Sequence, residues 1–133
     1  MPSIDQQRVA AWIRAVAASY GKRVGEIAYI FCSDERILEV NRQHLQHDYY
    51  TDIITFDYCR GNRLDGDLVI SLDTVRSNAR QLGTDYDTEL HRVIVHGVLH
   101  LCGINDKGPG ERELMEAAEN RALALRAQIP AQP

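Results

Sequence analysis

The chain has 133 residues, 44% of them hydrophobic and 26% charged, which predicts a single domain over 1–133 and excludes wholesale disorder or a collagen-like repeat. Its apolar runs are a handful of residues long, against the roughly 20 that a membrane-spanning helix requires, and no basic stretch precedes an apolar one at Met1, so a cytoplasmic protein with no membrane partner is expected. Fifteen Lys and Arg against 19 Asp and Glu give a net charge of −4, which offers phosphate no bulk attraction.

Apart from Lys22 and Lys107 the cations are all Arg, the side chain suited to bidentate phosphate contacts, so a local phosphate site stays open. Cys32, Cys59 and Cys102 are odd in number and form no C-x-x-C pair. A disulfide scaffold and a cysteine zinc knuckle are therefore excluded, and buried reduced thiols are expected.

Ser3 and Gln6 stand at capping-box spacing. The apolar positions Val9, Trp12, Ile13, Val16 and Tyr20 then recur at helical intervals as far as Gly21, predicting a helix with one buried stripe. From Val24 to Cys32 both alternating sets are apolar, which predicts a strand covered on both faces. Ser33 or Asp34 can cap a helix over Glu35–Gln46, with Ile37, Leu38, Asn41 and Leu45 near one face. Thr51–Tyr58 and Asp67–Leu72 alternate as strands, joined through Arg60-Gly61-Asn62-Arg63. Asp73 is the expected cap of a short helix bearing Val75, Ala79 and Leu82 and stopped by Gly83.

A longer helix follows over Tyr86–Cys102. Apolar residues cover much of its circumference, so it is expected to run through the middle of the protein. Beyond Lys107-Gly108-Pro109-Gly110, the residues Leu114, Ala118, Ala122 and Leu125 predict a last helix, with a loose tail over 129–133. The sum is an α+β fold, about four strands in a small mixed sheet against about five helices.

The stretch that carries chemistry is His96-Gly97-Val98-Leu99-His100-Leu101-Cys102-Gly103-Ile104-Asn105-Asp106. Residues four apart project from one helix face, so His96 and His100 can offer two imidazoles to one ion. Gly103 can adopt the left-handed conformation that turns the chain back, which brings Asp106 in as a third ligand. Two imidazoles and one carboxylate leave a tetrahedral Zn²⁺ with one open position, as catalytic zinc requires. One such ion per chain is expected.

The other Cys and His residues are less suited to this ion. Cys102 lies about 200° around the helix from His100 and is expected in the core, while His91 is off the ligand face by about 140°. His44 and His47 fall in or near a loop, where exposure to solvent or contact with phosphate is expected.

The spacing H-x-x-x-H-x-x-G-x-x-D is that of the metzincin motif with two changes, Asp for the third His and Gly97 for the catalytic Glu. A zinc peptidase needs a carboxylate beside the metal to take a proton from water, and residue 97 supplies none. Phosphodiester cleavage tolerates that loss, because the ion itself acidifies water and neutralises charge developing on phosphorus. Water or the substrate's own ribose hydroxyl is then the nucleophile, and the residues single out no general base.

With these motifs in hand, the sequence resembles the YbeY family of bacterial ribosomal-RNA maturation endoribonucleases, over roughly Asn41 to Glu119. The stretch His96–Gly103 is similar to the family's H-G-x-L-H-L-x-G. Thr51-Asp52-Ile53-Ile54-Thr55-Phe56 resembles P-T-D-V-L-S-F, and Gly66-Asp67-Leu68-Val69-Ile70-Ser71 resembles G-D-I-x-I-S. Glu113-Leu114-Met115 and Glu119 follow the family's E-x-M…E helix loosely.

The resemblance implies a zinc-dependent endoribonuclease that prefers single strands. It would act on ribosomal RNA in small-subunit maturation and ribosome quality control, with the ribosome or its proteins as partners and the metal site on a helix. It places His96 and His100 on the first two zinc ligands. Asp106 stands where the family usually has a third His, which keeps a ligand but adds negative charge and weakens the ion as a Lewis acid. Leu45 stands where many members carry an Arg thought to serve the RNA chemistry. Arg42, His47, Arg60 and Arg63 are candidates for the missing cation, and nothing in their spacing selects among them. Two other functions stay open, a zinc hydrolase of another class, such as a degenerate peptidase or amidase, and a metal-stabilised ribosome-assembly factor that binds without cutting.

Overall fold

The first helix starts at Asp5. In the computed structural model, which describes residues 4–45 and 51–130, the Asp5 carboxylate accepts the backbone N–H of Arg8 at 3.0 Å and α1 runs Gln6–Ser19. The Asp5 side chain thus satisfies an N–H that the helix leaves open, the role expected of Ser3. Ser3 itself, like His47, lies outside the described residues. Val9, Trp12, Ile13 and Val16 form the buried stripe as expected, with Ala17 beside them.

Among the described residues the sheet has three strands rather than about four. They are β1 (Arg23–Cys32), β2 (Ile53–Asp57) and β3 (Arg63–Ser71), in the order β1-β3-β2. β1 runs parallel to β3, and β2 antiparallel to it. The expectation that β1 is covered on both faces fails. It carries no fully buried residue, and Ile30 is 45% exposed. The cause is position, since β1 is an edge strand: Ile27, Tyr29 and Phe31 pack onto the main core, whereas on the other face Cys32 is the residue that meets a small cluster of Ile37, Val40, Ile54 and Val69. The strand buried on both faces is the central β3, with Leu64, Leu68, Val69 and Ile70. It starts four residues before the expected Asp67, at the tight turn where Arg60 and Arg63 exchange backbone hydrogen bonds of 2.9 and 3.1 Å.

Helix α2 (Asp34–Val40) is capped by Ser33 and continues into a π turn, Asn41–Leu45. Asp34 is taken up elsewhere, accepting hydrogen bonds from the hydroxyls of Ser71 and Thr74. That contact explains why Ser71 rather than Asp73 caps α3 (Leu72–Leu82): the Ser71 hydroxyl, held by Asp34, accepts the Thr74 N–H. Asp73 instead receives the Asp34 N–H at 3.0 Å.

α4 (Tyr86–Leu101) is buried on most of its circumference, as its composition predicts. It crosses the sheet at Gly97, where an added Cβ would stand 2.8 Å from both Ile53 Cδ1 and Leu68 Cδ2. Any larger residue there would have to displace the Ile53 and Leu68 side chains. α5 (Glu111–Gln128) packs its Met115, Ala118 and Ala122 into the same core. Trp12 fixes its depth by donating from Nε1 to the Ala122 carbonyl at 2.7 Å. At its far end Arg8 donates to the carbonyls of Arg126 and Ile129, a cation where the helix dipole is negative.

Candidate metal centre

Helix α4 places His96 and His100 one turn apart, with ring centroids separated by 4.8 Å. The turn that follows is built by Gly103 at φ 98°. The Gly103 N–H bonds to the His100 carbonyl and the Ile104 N–H to the Leu99 carbonyl, both at 3.0 Å. This is the paired closure of a Schellman motif, which requires a left-handed residue. The chain reverses and brings Asp106 back to the histidines, its carboxylate oxygens 3.3 Å from His96 Nε2 and 3.5 Å from His100 Nε2.

Among the described residues these three form a group able to hold a metal ion, their ligand atoms all within 4.8 Å of one another. A tetrahedral ion bound at about 2.0–2.1 Å separates its ligand atoms by about 3.3 Å. The two His–Asp spacings, which run to different carboxylate oxygens, are close to that value, and the three candidate ligand atoms taken one per residue lie within 4.8 Å of one another. The N₂O donor set is of the kind that takes Zn²⁺ or a neighbouring transition metal.

Behind the ligands lies a carboxylate that the sequence does not assign to the site. Glu119, buried on α5, has Oε2 2.7 Å from His96 Nδ1, and its Oε1 accepts from Arg92 Nη1 at 2.9 Å. Arg92 is itself tied to Asn120 at 2.8 Å. A carboxylate only accepts, so Nδ1 carries the hydrogen and the Nε2 lone pair is left facing Asp106 and the ion position. Metal-binding histidines are commonly oriented by such a carboxylate.

Charges and burial act on the site in opposite senses. Burial works to depress the His96 pKa, but the hydrogen bond and charge of Glu119, with Asp106 and Asp52 adding to them, outweigh it and hold the imidazole above its usual value. The His100 pKa is lowered, first by burial and then by the charge of His96, with Lys107 contributing and Asp106 opposing. Asp52, just before β2, has its carboxyl pushed up by burial, and Asn78 Nδ2 donates to it at 3.5 Å.

The ligands open into a cleft of about 640 Å³ whose walls include Asn41, Thr51, Asp52, Thr55, Asp57, Lys107 and Glu111. Arg60 and Arg63 line a different cavity, between β1 and the β2–β3 turn, and the two cavities share no lining residue. Arg63 is also paired with Asp65 at 3.0 Å. Arg42 is exposed on the π turn, next to the cleft residue Asn41. His91 is buried away from the ligands, its Nδ1–H donating to the Asp87 carbonyl at 2.7 Å and its ring against Trp12. Cys102 is half-buried against the core, its thiol pushed by burial to about 11.

The family described as Endoribonuclease YbeY matches residues 2–126 of the chain. The chain belongs to the YbeY family. Curated relatives named Endoribonuclease YbeY include one from Bacteroides thetaiotaomicron, 76% identical over 126 residues that make up 95% of this chain and 92% of the relative. One from Phocaeicola vulgatus is 77% identical over 94% and 91% of the two chains, and one from Porphyromonas gingivalis is 57% identical over 94% and 83%. The solution structure of a Thermotoga maritima protein superposes with a TM-score of 0.65 at 22% identity. It covers 97% of this chain and 88% of that one, and shows a common fold. YbeY membership thus extends the likeness seen in the central motifs back through α1.

Proposed function

We propose that the protein is a metal-dependent endoribonuclease in which His96, His100 and Asp106 hold one Zn²⁺ per chain. Its proposed task is to cut single-stranded ribosomal RNA in the cytoplasm, in small-subunit maturation and ribosome quality control, alongside the ribosome or its proteins. The observation that carries this is the convergence of three ligand atoms at the floor of an open cleft, with Glu119 fixing one imidazole from behind. The relatives' shared name, endoribonuclease, supports the reaction class. In keeping with a cytoplasmic site of action, no helix among the described residues is long and apolar enough to cross a membrane.

When bound, the ion supplies a Lewis acid that acidifies water and offsets charge developing on a phosphodiester. The protein's own part is to hold His96 in the tautomer that presents Nε2, to bring Asp106 over the end of α4, and to leave one side open to the substrate. Asp106 in place of a third imidazole makes the centre more anionic and so a weaker electrophile. A peptidase is disfavoured by more than composition. A Cβ added at residue 97 would stand 2.8 Å from side-chain atoms of Ile53 and Leu68, so this face of the helix points into packed side chains and is poorly placed to present a glutamate base. Arg42, exposed beside the cleft residue Asn41, is proposed to contact RNA entering the cleft, and Arg60 and Arg63 to serve a strand that runs beyond it. His47 is proposed for the same role on sequence grounds alone.

Metal analysis of protein purified without added metal, beside His96→Ala and His100→Ala, tests the centre, and stoichiometric zinc is expected in the parent chain alone. Incubation with single-stranded ribosomal RNA, beside Asp106→Ala, tests the reaction. Cleavage that persists undiminished in Asp106→Ala would sink the mechanism. RNA that is bound but never cut by metal-loaded protein would favour an assembly factor.

A further inference from the structure

A polyanionic substrate faces a cleft that is itself acidic. The carboxylates of Asp52, Asp57, Asp106 and Glu111 line it, and Lys107 is the one Lys or Arg among the lining residues. Lys107 follows the ligand Asp106 directly, on the loop that the Gly103 turn sends back across the end of α4. Its side chain is exposed and, among the described residues, makes no hydrogen bond or ion pair. It thus differs from Arg63, Arg92 and Arg126, which are spent on Asp65, Glu119 and Asp87. A flexible ammonium is a point charge that can follow a phosphate without imposing bidentate geometry.

We propose that Lys107 is the substrate-positioning cation of this centre, holding an RNA phosphate at or next to the scissile bond beside the His96–His100–Asp106 cluster. Because it sits on the ligand-bearing loop, the residue that grips the phosphate and the residue that grips the ion are fixed relative to each other by one peptide bond. The side chain acts on binding and alignment and takes no proton.

This inference rests on the proposed ribonuclease activity, and the experiment separates the two. Metal-loaded wild type, Lys107→Met, Lys107→Arg and the surface control Arg14→Met are compared on a short fluorescein-labelled single-stranded oligoribonucleotide. Binding, kcat and KM are followed over a series of salt concentrations, and bound metal is measured in each sample. Lys107→Met is expected to raise Kd and KM about 5–10-fold with a smaller effect on kcat, and to lower the slope of log affinity against log salt by about 0.7, one phosphate contact on a single strand. Its metal content should stay at the wild-type value, and Lys107→Arg should recover to within about twofold. Arg14, exposed on α1, should behave as wild type. Wild type that cuts the oligonucleotide while Lys107→Met keeps its KM and salt slope overturns the role of Lys107 alone. Wild type that neither binds nor cuts it overturns both proposals, and loss of metal from Lys107→Met overturns the positioning role in favour of a structural one.

Discussion

Glu119 faces two donors with two oxygens, His96 Nδ1–H at Oε2 and Arg92 Nη1 at Oε1, and a glutamine cannot satisfy both. In Glu119→Gln one donor must meet the carboxamide NH₂. Arg92 is the one able to yield, because its side chain is 29% exposed and keeps Asn120 as a partner. The expected cost in stability is about 1–2 kcal/mol, one charge-assisted hydrogen bond partly recovered in water. Glu119→Ala strands both donors. Breaking a buried pair costs about 3–5 kcal/mol, and because Arg92 can turn to solvent the loss should fall near 3. At roughly 3–4 °C per kcal/mol for a chain of this size, the melting temperature drops by about 10 °C.

The effect on the ion should be the sharper one. Without the carboxylate, His96 is less basic and less firmly oriented, and loss of such a partner weakens metal binding by about 10–100-fold. Competition against a fluorescent chelator measures the affinity, and calorimetry the melting temperature. A Glu119→Ala protein that melts lower but binds the ion within twofold of wild type would refute the orienting role and leave Glu119 as a packing group.

Three further outcomes follow from the same geometry. Gly97→Glu, which recreates the peptidase spacing, drives a carboxylate into Ile53 and the fully buried Leu68 and should cost at least about 4 kcal/mol; a stable, soluble variant in urea unfolding would contradict the close crossing. Burial holds His91 below its usual pKa of 6.5, so the unfolded chain binds the extra proton first and stability should fall as pH drops below about 6.5, by up to about 1.4 kcal/mol per unit. The urea midpoint of wild type should therefore approach that of His91→Gln as the pH is lowered from 7.5 to 5.5, and a constant gap would refute the assignment. An ion present at about 1,000 times its dissociation constant adds about 4 kcal/mol, so stripping it with chelator should lower the melting temperature by about 10–15 °C, whereas equal melting of the two forms would exclude a folded-state site.

What could be read from the sequence is what is local. His96 and His100 share a face because of helix geometry, and Gly103 with Asp106 completes the candidate ligand cluster within six residues, so no knowledge of the fold was needed. Glu119 reaches His96 only because α5 docks on α4. The one hint was chemical, since a ligating imidazole needs a partner for its second nitrogen. The burial of β1 was misjudged because apolar alternation does not encode strand order, and an edge strand can carry the same residues as a central one. The caps of α1 and α3 were misplaced by two residues because Ser and Asp both serve, and at α3 the choice is made by Asp34, far away in sequence. Arg60 and Arg63 sit on a turn whose distance from the ligands depends on how the sheet is ordered, whereas Lys107 is next to a ligand in the chain itself.

The hydrogen bond from Trp12 to the Ala122 carbonyl ties the centre to a helix that contributes nothing to it directly. Ala122 lies one turn beyond Glu119 on α5, so the indole works as a depth stop: it sets how far α5 settles, and thereby whether the Glu119 carboxylate arrives at hydrogen-bonding distance from His96. The amino-terminal segment, which carries none of the chemistry-bearing motifs, is in that sense an adjustment screw for the contact between Glu119 and the candidate ligand His96. A substitution on α1 that shifted α5 would thus alter the Glu119–His96 contact while every residue in the cleft stayed the same.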